Sequence, residues 1–287
     1  MKNAPLVAAL LSTALLGAPA VVLADAHSGM VGDDVIAAQR AALADSSDGA
    51  GFGPQAPRDI DVLTGDNPRV FSEAPHFTRM NLCNIHFHAN AEHKGGDFTK
   101  FAGNGDGEGH GTGFEYAGTL TEAELAPLDR AIGDIGHGAL EPGDTIEVHY
   151  VHTTAQVEPG PTLGACLSES VMNPQLRVET QVYVLVNDPA ALDFVTLTKH
   201  GTVDGLHQAL NIPTDTGAPV QYEGSTTGAG YNEVASPLKV SWSVRPRVAK
   251  VSIKSVGTWL DGNAFEEAGA HSVRNLVVNP ALLSRID

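Results

Sequence analysis

From Phe71 to the end of the chain the apolar residues come in short β-branched and aromatic runs, and glycine or proline closes each run. That texture is the signature of a sheet. It predicts strands over residues 81–88, 145–153, 177–187, 238–244 and 248–255. Residues 121–135 open with Thr-Glu-Ala-Glu, where Glu124 stands three positions after Thr121, so a capping box is expected to start a helix there. A short helix is also expected over 257–268 and another near 34–44. No repeat at a period of 20–50 residues is visible. The fold class that follows is α+β and β-rich, a single domain over residues 71–287 built on a large central, mostly antiparallel twisted sheet with a few short helices.

Upstream of Phe71 the composition differs. Lys2 is followed by an uncharged apolar run from Ala4 to Leu23 and a small-residue exit at Val22-Leu23-Ala24. This reads as a secretory signal peptide over residues 1–24, with cleavage after Ala24 or Ala26, and places the mature chain in the periplasm or outside the cell. Residues 25–70, rich in Gly, Ala, Asp and Ser, read as a loosely packed arm. No later segment offers the ~20 consecutive apolar residues that a bilayer span requires. The net charge of −17 repels nucleic acid and anionic lipid, which excludes both as partners. Cys83 and Cys166 are the two cysteines of the chain. In an oxidising compartment such a pair is expected to form one disulfide.

The chemistry lies in the histidines. In Asn84-Ile85-His86-Phe87-His88, positions i and i+2 of a strand share a face, so His86 and His88 can meet one metal ion. The same alternation turns Cys83, Ile85 and Phe87 to the opposite face and removes Cys83 as a ligand. In Glu147-Val148-His149-Tyr150-Val151-His152, Glu147, His149 and Val151 share a face, and His149 can complete three nitrogen ligands. Three histidines with an open fourth position are the donor set of a catalytic zinc. The glycine-rich segment 103–113, which holds His110, follows no strand-to-helix pattern and reads as a surface loop.

Taken in order, these motifs resemble those of a carbonic anhydrase. They run from Asn81-Leu82-Cys83-Asn84-Ile85-His86-Phe87-His88 and Ala91-Glu92-His93-Lys94, through Glu147 to His152, to Tyr222-Glu223-Gly224-Ser225-Thr226-Thr227, Ser236-Pro237-Leu238 and Trp242-Ser243-Val244-Arg245-Pro246. The order is similar to the α class, and the wording is closer to the δ class. The resemblance implies the α-carbonic anhydrase fold and the reversible hydration of carbon dioxide to bicarbonate and a proton by zinc-bound hydroxide. It implies that His86, His88 and His149 hold the zinc and that Glu147 fixes the tautomer of His149. Thr226 or Thr227 would orient the hydroxide with Glu92 accepting the threonine proton, and Val151 and Trp242 would line the apolar substrate pocket.

The gap between His93 and Glu147 is longer than in the α class, and residues 228–234 are inserted before Ser236. These departures leave the gate open between Thr226 and Thr227, and the proton-carrying histidine open among His110, His137, His200 and His207. Two other functions fit parts of the pattern. A cupin-type iron or manganese protein would use His86, His88 and Glu92 as ligands, although the glycine that opens a cupin motif is absent near Asn81. A non-catalytic periplasmic zinc-binding protein would explain twelve histidines, but scavengers carry them in a tract and here they are scattered.

Overall fold

The computed structural model describes residues 29–226 and 232–287. The segment read as a signal peptide, and Thr227, lie outside the described residues. The sheet is formed by β1 (Asn81–Ala89), β4 (Thr145–Thr153), β5 (Leu176–Val186), β9 (Lys239–Val244) and β8 (Val220–Ser225), in that spatial order, with β10 (Ala249–Ser252) also paired to β5. β1–β4, β4–β5 and β8–β9 are antiparallel, whereas β5 is parallel to β9 along its first half and to β10 along its last four residues. The expected β-rich architecture is present, with a mixed sheet. Two small hairpins lie apart from it, β2 (Lys100–Asn104) with β3 (Thr112–Glu115) and β6 (His200–Val203) with β7 (Leu206–Ala209).

β4 and β5 are buried along their whole length. The second half of β5, Val182–Val186, is a continuous apolar run, whereas β4 and the first half of β5 alternate apolar residues with the buried polar groups Glu147, His149, Arg177, Glu179 and Gln181. One sheet face packs Leu82, Ile85, Phe87, Ile146, Val148 and Tyr150 into a core closed by Phe194 and Trp259. The other face carries Cys83, Val151, Val178, Val240 and Trp242. Cys83 therefore does not share a face with Ile85 and Phe87, contrary to the alternation expected from sequence. The register shifts between Leu82 and Asn84, and a bulged residue lets the chain skip one step of the alternation. The expected pairing holds: Cys83 and Cys166 are joined by a disulfide.

Three helices differ in outcome. α1 (Asp33–Ser47) extends the stretch expected over 34–44. The Thr121 box forms, with the Glu124 amide donating to Thr121 Oγ1 at 3.3 Å and the Thr121 amide to Glu124 Oε2 at 2.8 Å. It closes only one turn, from the Leu125 N–H to the Thr121 carbonyl; no helix spans 121–135, because Pro127 lacks the next amide donor. The last strand stops at Ser252 and the chain turns at once into α2 (Ile253–Leu260), ahead of the helix expected over 257–268. Ile253, Val256 and Trp259 are spaced as a helical stripe and all three are buried.

Within the stretch read as an arm, residues 53–58 are buried. The Arg58 guanidinium donates to the carbonyls of Val62, Thr64 and Ser284 and sits 5.4 Å over the Tyr222 ring. The N-terminal segment is thereby tied to the C-terminus and to β8, beneath the histidine face of the sheet.

Candidate metal centre

The register of β1 on β4 sets His86 opposite His149 and His88 opposite Glu147. The ligand-capable nitrogens of His86, His88 and His149 all lie within 4.8 Å of one another. The structure thus brings together the three histidines that the alternation singles out. Each imidazole also has its second nitrogen held by an acceptor. His86 Nδ1 lies 2.6 Å from Asn84 Oδ1, and the Asn84 amide is oriented by donating its Nδ2 to the Gly160 carbonyl at 3.0 Å. His88 Nδ1 lies 2.7 Å from the Ser272 carbonyl. His149 Nε2 lies 2.7 Å from Glu147 Oε1.

These acceptors place the ring protons on His86 Nδ1, His88 Nδ1 and His149 Nε2, since a carbonyl or carboxylate oxygen can only accept. The nitrogens left over, His86 Nε2, His88 Nε2 and His149 Nδ1, can then only accept as well. His149 Nδ1 and His86 Nε2 are 3.2 Å apart, a distance at which two lone pairs face each other with no proton between them. His88 Nε2 is buried and has no hydrogen-bond partner. Buried acceptors in this state are costly unless a cation joins them. The donor set fits a metal ion.

The electrostatics agree. Burial, followed by the neighbouring His149 and His88, lowers the pKa of His86 well below 6.5. Burial lowers that of His88 to about 4, against the opposing pull of Glu92. Both rings are therefore neutral at pH 7, the form that binds metal.

Behind His149 lies a relay. Burial alone would raise the Glu147 pKa, but His93 and the bonds from His149 and His93 hold it well below the usual carboxylate range. Glu147 Oε1 is 2.7 Å from His93 Nδ1 and Oε2 accepts the His93 backbone N–H at 3.0 Å. His93 Nε2 in turn is 2.8 Å from the Tyr222 hydroxyl. His93, Glu147 and His149 also have donor atoms mutually within 4.8 Å, but here hydrogen bonds account for the closeness. No pattern argument exposes the role of His93; its only signal is adjacency to Glu92.

A cavity of about 30 Å³ is lined by His86, His88 and His149, enough for one or two molecules the size of water. Val151, Leu163, Leu176, Val178, Val240 and Trp242 line its apolar side, and Glu92, Thr226 and Arg274 its polar side. Glu92 Oε1 accepts the Arg274 backbone N–H at 2.9 Å, and its Oε2 is 3.6 Å from His88 Nε2. No hydrogen bond joins Glu92 to Thr226 among the described residues; the Thr226 amide donates to the Leu238 carbonyl at 3.0 Å.

The histidines proposed for proton transfer lie elsewhere. His110 and His137 stack on each other, His200 packs on Phe265, and His207 is 3.1 Å from Glu158. The histidine beside the centre is His271, with its ring 5.2 Å from His86 and 5.8 Å from His88 and its Nε2 2.6 Å from Glu267 Oε2. It reaches the site because residues 271–274 run along the free edge of β1: the His271 N–H donates to the Phe87 carbonyl at 2.8 Å and the Ala89 N–H to the His271 carbonyl at 3.0 Å. A lone histidine in an irregular tail gave no signal in the sequence.

Among known proteins, the family model for delta carbonic anhydrase matches residues 77–255. No curated protein matches the chain. Solved structures that align with it include the Photobacterium profundum alpha-carbonic anhydrase, at 14% identity over 86% of this chain and 95% of that one with a TM-score of 0.27. A halotolerant carbonic anhydrase from Dunaliella salina aligns at 15% identity over 83% and 88% with a TM-score of 0.33. Likeness at these TM-scores adds nothing to what the sheet and the site establish.

Proposed function

The chain belongs to the delta carbonic anhydrase family, and from that premise we propose that His86, His88 and His149 hold one zinc ion at which carbon dioxide is reversibly hydrated to bicarbonate. The observation that carries this reading is the convergence of three imidazole nitrogens that can only accept, one of them buried without a partner. A zinc held there by three neutral ligands would act as a Lewis acid that acidifies water, chemistry for which carbonic anhydrases are themselves the standard example.

The rest is done by the chain's own groups. Asn84, the Ser272 carbonyl and Glu147 fix the tautomers of the three rings, so the nitrogens that would hold the ion are already free of protons. The wall formed by Val151, Val178, Val240 and Trp242 favours an apolar triatomic substrate over water and borders the polar side where a bicarbonate would form. Glu92, anchored through Oε1 by the Arg274 amide, keeps Oε2 available to accept the hydroxyl proton of Thr226 or Thr227. That threonine would then act only as an acceptor toward the attacking oxygen, which orients it. Export completes the reading: the apolar run after Lys2 and the Cys83–Cys166 disulfide both suit an oxidising, extracytoplasmic compartment. Among the described residues no helix is long and apolar enough to cross a membrane.

Metal analysis of the purified mature protein, coupled to a stopped-flow carbon dioxide hydration assay, tests the proposal. Hydration activity together with an equivalent of zinc at the three-histidine site, both lost in His149→Ala, is expected. Full zinc occupancy in His149→Ala, or recovery of iron or manganese in place of zinc, would overturn it.

A further inference from the structure

A second cluster of metal-ligating side chains lies outside the site described above. Asp106, His110 and His137 have donor atoms within 4.8 Å of one another, and they come from two loops far apart in sequence. The loop that carries Asp106 and His110 is folded by its glycines: Gly105, Gly107, Gly109 and Gly111 all have positive φ. A Cβ at Gly105 would meet the His110 carbonyl oxygen at 2.1 Å, so the close approach of the loop's two arms requires glycine there. Asp106 Oδ1 accepts the backbone N–H groups of Glu108 and His110, at 2.8 and 3.1 Å. Oδ2 has no hydrogen-bond donor among the described residues.

The opposite loop presents His137 between Gly136 and Gly138, both at positive φ and both with open space where a Cβ would be. Its ring stacks on His110 with centroids 3.5 Å apart and planes inclined by 4°. His110 and His137 line a cavity of about 210 Å³ whose wall also holds Glu115 and Asp144 and no lysine or arginine. Burial, helped by the charges of Glu141 and Glu115, raises the Asp144 carboxyl to about 6. Glu115 is itself paired with Lys100, whereas Asp144 has no cation partner among the described residues.

From this juxtaposition we infer that Asp106, His110 and His137 form an auxiliary, solvent-accessible site for a divalent transition-metal ion of the zinc type, clipping loop 103–113 to loop 133–140. Two imidazoles and one carboxylate are a donor set suited to such ions. In parallel stacked rings the nitrogen lone pairs lie in separate planes, so one ring must hinge about its χ2 to meet a shared ion at ~2.0–2.1 Å. The flanking glycines leave His137 room to do so.

The test counts metal equivalents on the full mature chain. Protein stripped by chelator is titrated with zinc alone against a chromophoric competitor, for wild type, His149→Ala, His137→Ala and Asp106→Asn. Wild type should take up two equivalents. His149→Ala should lose one and keep the other, while His137→Ala should lose the complementary one, and Asp106→Asn should weaken it at least tenfold. Copper(II) added to His149→Ala should show nitrogen superhyperfine structure from two imidazoles in its electron paramagnetic resonance spectrum, and His137→Ala in that background should remove it. His137 is exposed, so the melting temperature of metal-free His137→Ala should match wild type. A single equivalent in wild type, or a second one that survives both His137→Ala and Asp106→Asn, would overturn the inference. Failure of the first site instead appears as a His149→Ala protein that loses no zinc, so the two outcomes are distinct.

Discussion

Replacing Glu147 with Gln is the sharpest probe of the tautomer argument, because this carboxylate accepts three hydrogen bonds while fully buried. The glutamine amide has one acceptor oxygen and one donor group where the carboxylate had two acceptors. If its oxygen takes the Oε1 position, the amide nitrogen confronts the His93 backbone N–H. If the nitrogen takes that position, it confronts both ring protons, and His149 must move its proton to Nδ1, the atom that faces His86 at 3.2 Å. Either way a buried donor is left unpaired, which costs about 1–3 kcal/mol of stability. Loss of such a partner to a metal-bound histidine typically weakens metal binding ~10–100-fold, about 1.4–2.7 kcal/mol. Chelator competition gives the zinc affinity, and urea unfolding of the metal-free protein gives the stability. Nitrogen-15 spectra of the imidazoles should report His149 shifting from the Nε2–H toward the Nδ1–H form. A folded Glu147→Gln protein that binds zinc within twofold of wild type, with an unchanged tautomer, would refute the reasoning.

Other outcomes follow from the same geometry. His152 lies on the core face of β4, where burial lowers its pKa to about 3. Neutral His152 therefore stabilises the fold above pH 6.5, and that contribution is lost as pH falls from 6.5 toward 3, with an upper bound of about 5 kcal/mol. In metal-free protein, His152→Gln should flatten this slope in pH-dependent urea unfolding, and the variant should still bind zinc. Glu92→Gln keeps an oxygen for the Arg274 amide, so zinc content should stay at the wild-type level while kcat/KM for hydration falls about 10²–10³-fold; loss of the equivalent that His149→Ala also loses would instead make Glu92 a ligand. Reduction of the Cys83–Cys166 bond, which closes a loop with a sequence separation of 83, should lower stability by roughly 2–5 kcal/mol, measured by urea unfolding with and without reductant.

What the sequence made legible was whatever depends on alternation within one strand. His86 with His88, and Glu147 with His149 and Val151, follow from period two alone, and the apolar run Val182–Val186 marks the fully buried end of β5. Alternation failed at Cys83, because a bulge changes the phase without changing the residue types. At Thr121 one local signal overrode another: the capping box is made, yet Pro127, six residues on, ends its turn. Contributions from irregular chain were invisible. Ser272 holds His88 and the Arg274 amide holds Glu92, and both come from a segment with no periodicity to read. Likewise residues 53–58, in the glycine-rich stretch that reads as an arm, are buried.

The bulge and the disulfide bear on the metal centre together. Cys83 is the residue at which the register of β1 shifts; its carbonyl accepts the Gly160 N–H at 3.0 Å, and its sulfur is bonded to Cys166. The same loop returns the Gly160 carbonyl to Asn84 Nδ2, and Asn84 Oδ1 orients His86. A side-chain amide cannot choose its own orientation; here Gly160 chooses it, by accepting from the nitrogen and leaving the oxygen for the imidazole. If residues 160–166 were free to drift, Asn84 could flip and offer His86 a donor. The His86 proton would then be displaced to Nε2, the nitrogen needed for the metal. The disulfide thus pins the loop that sets one ligand's tautomer, as Glu147 sets another's, and the bulge is what brings Cys83 round to the side on which that loop lies.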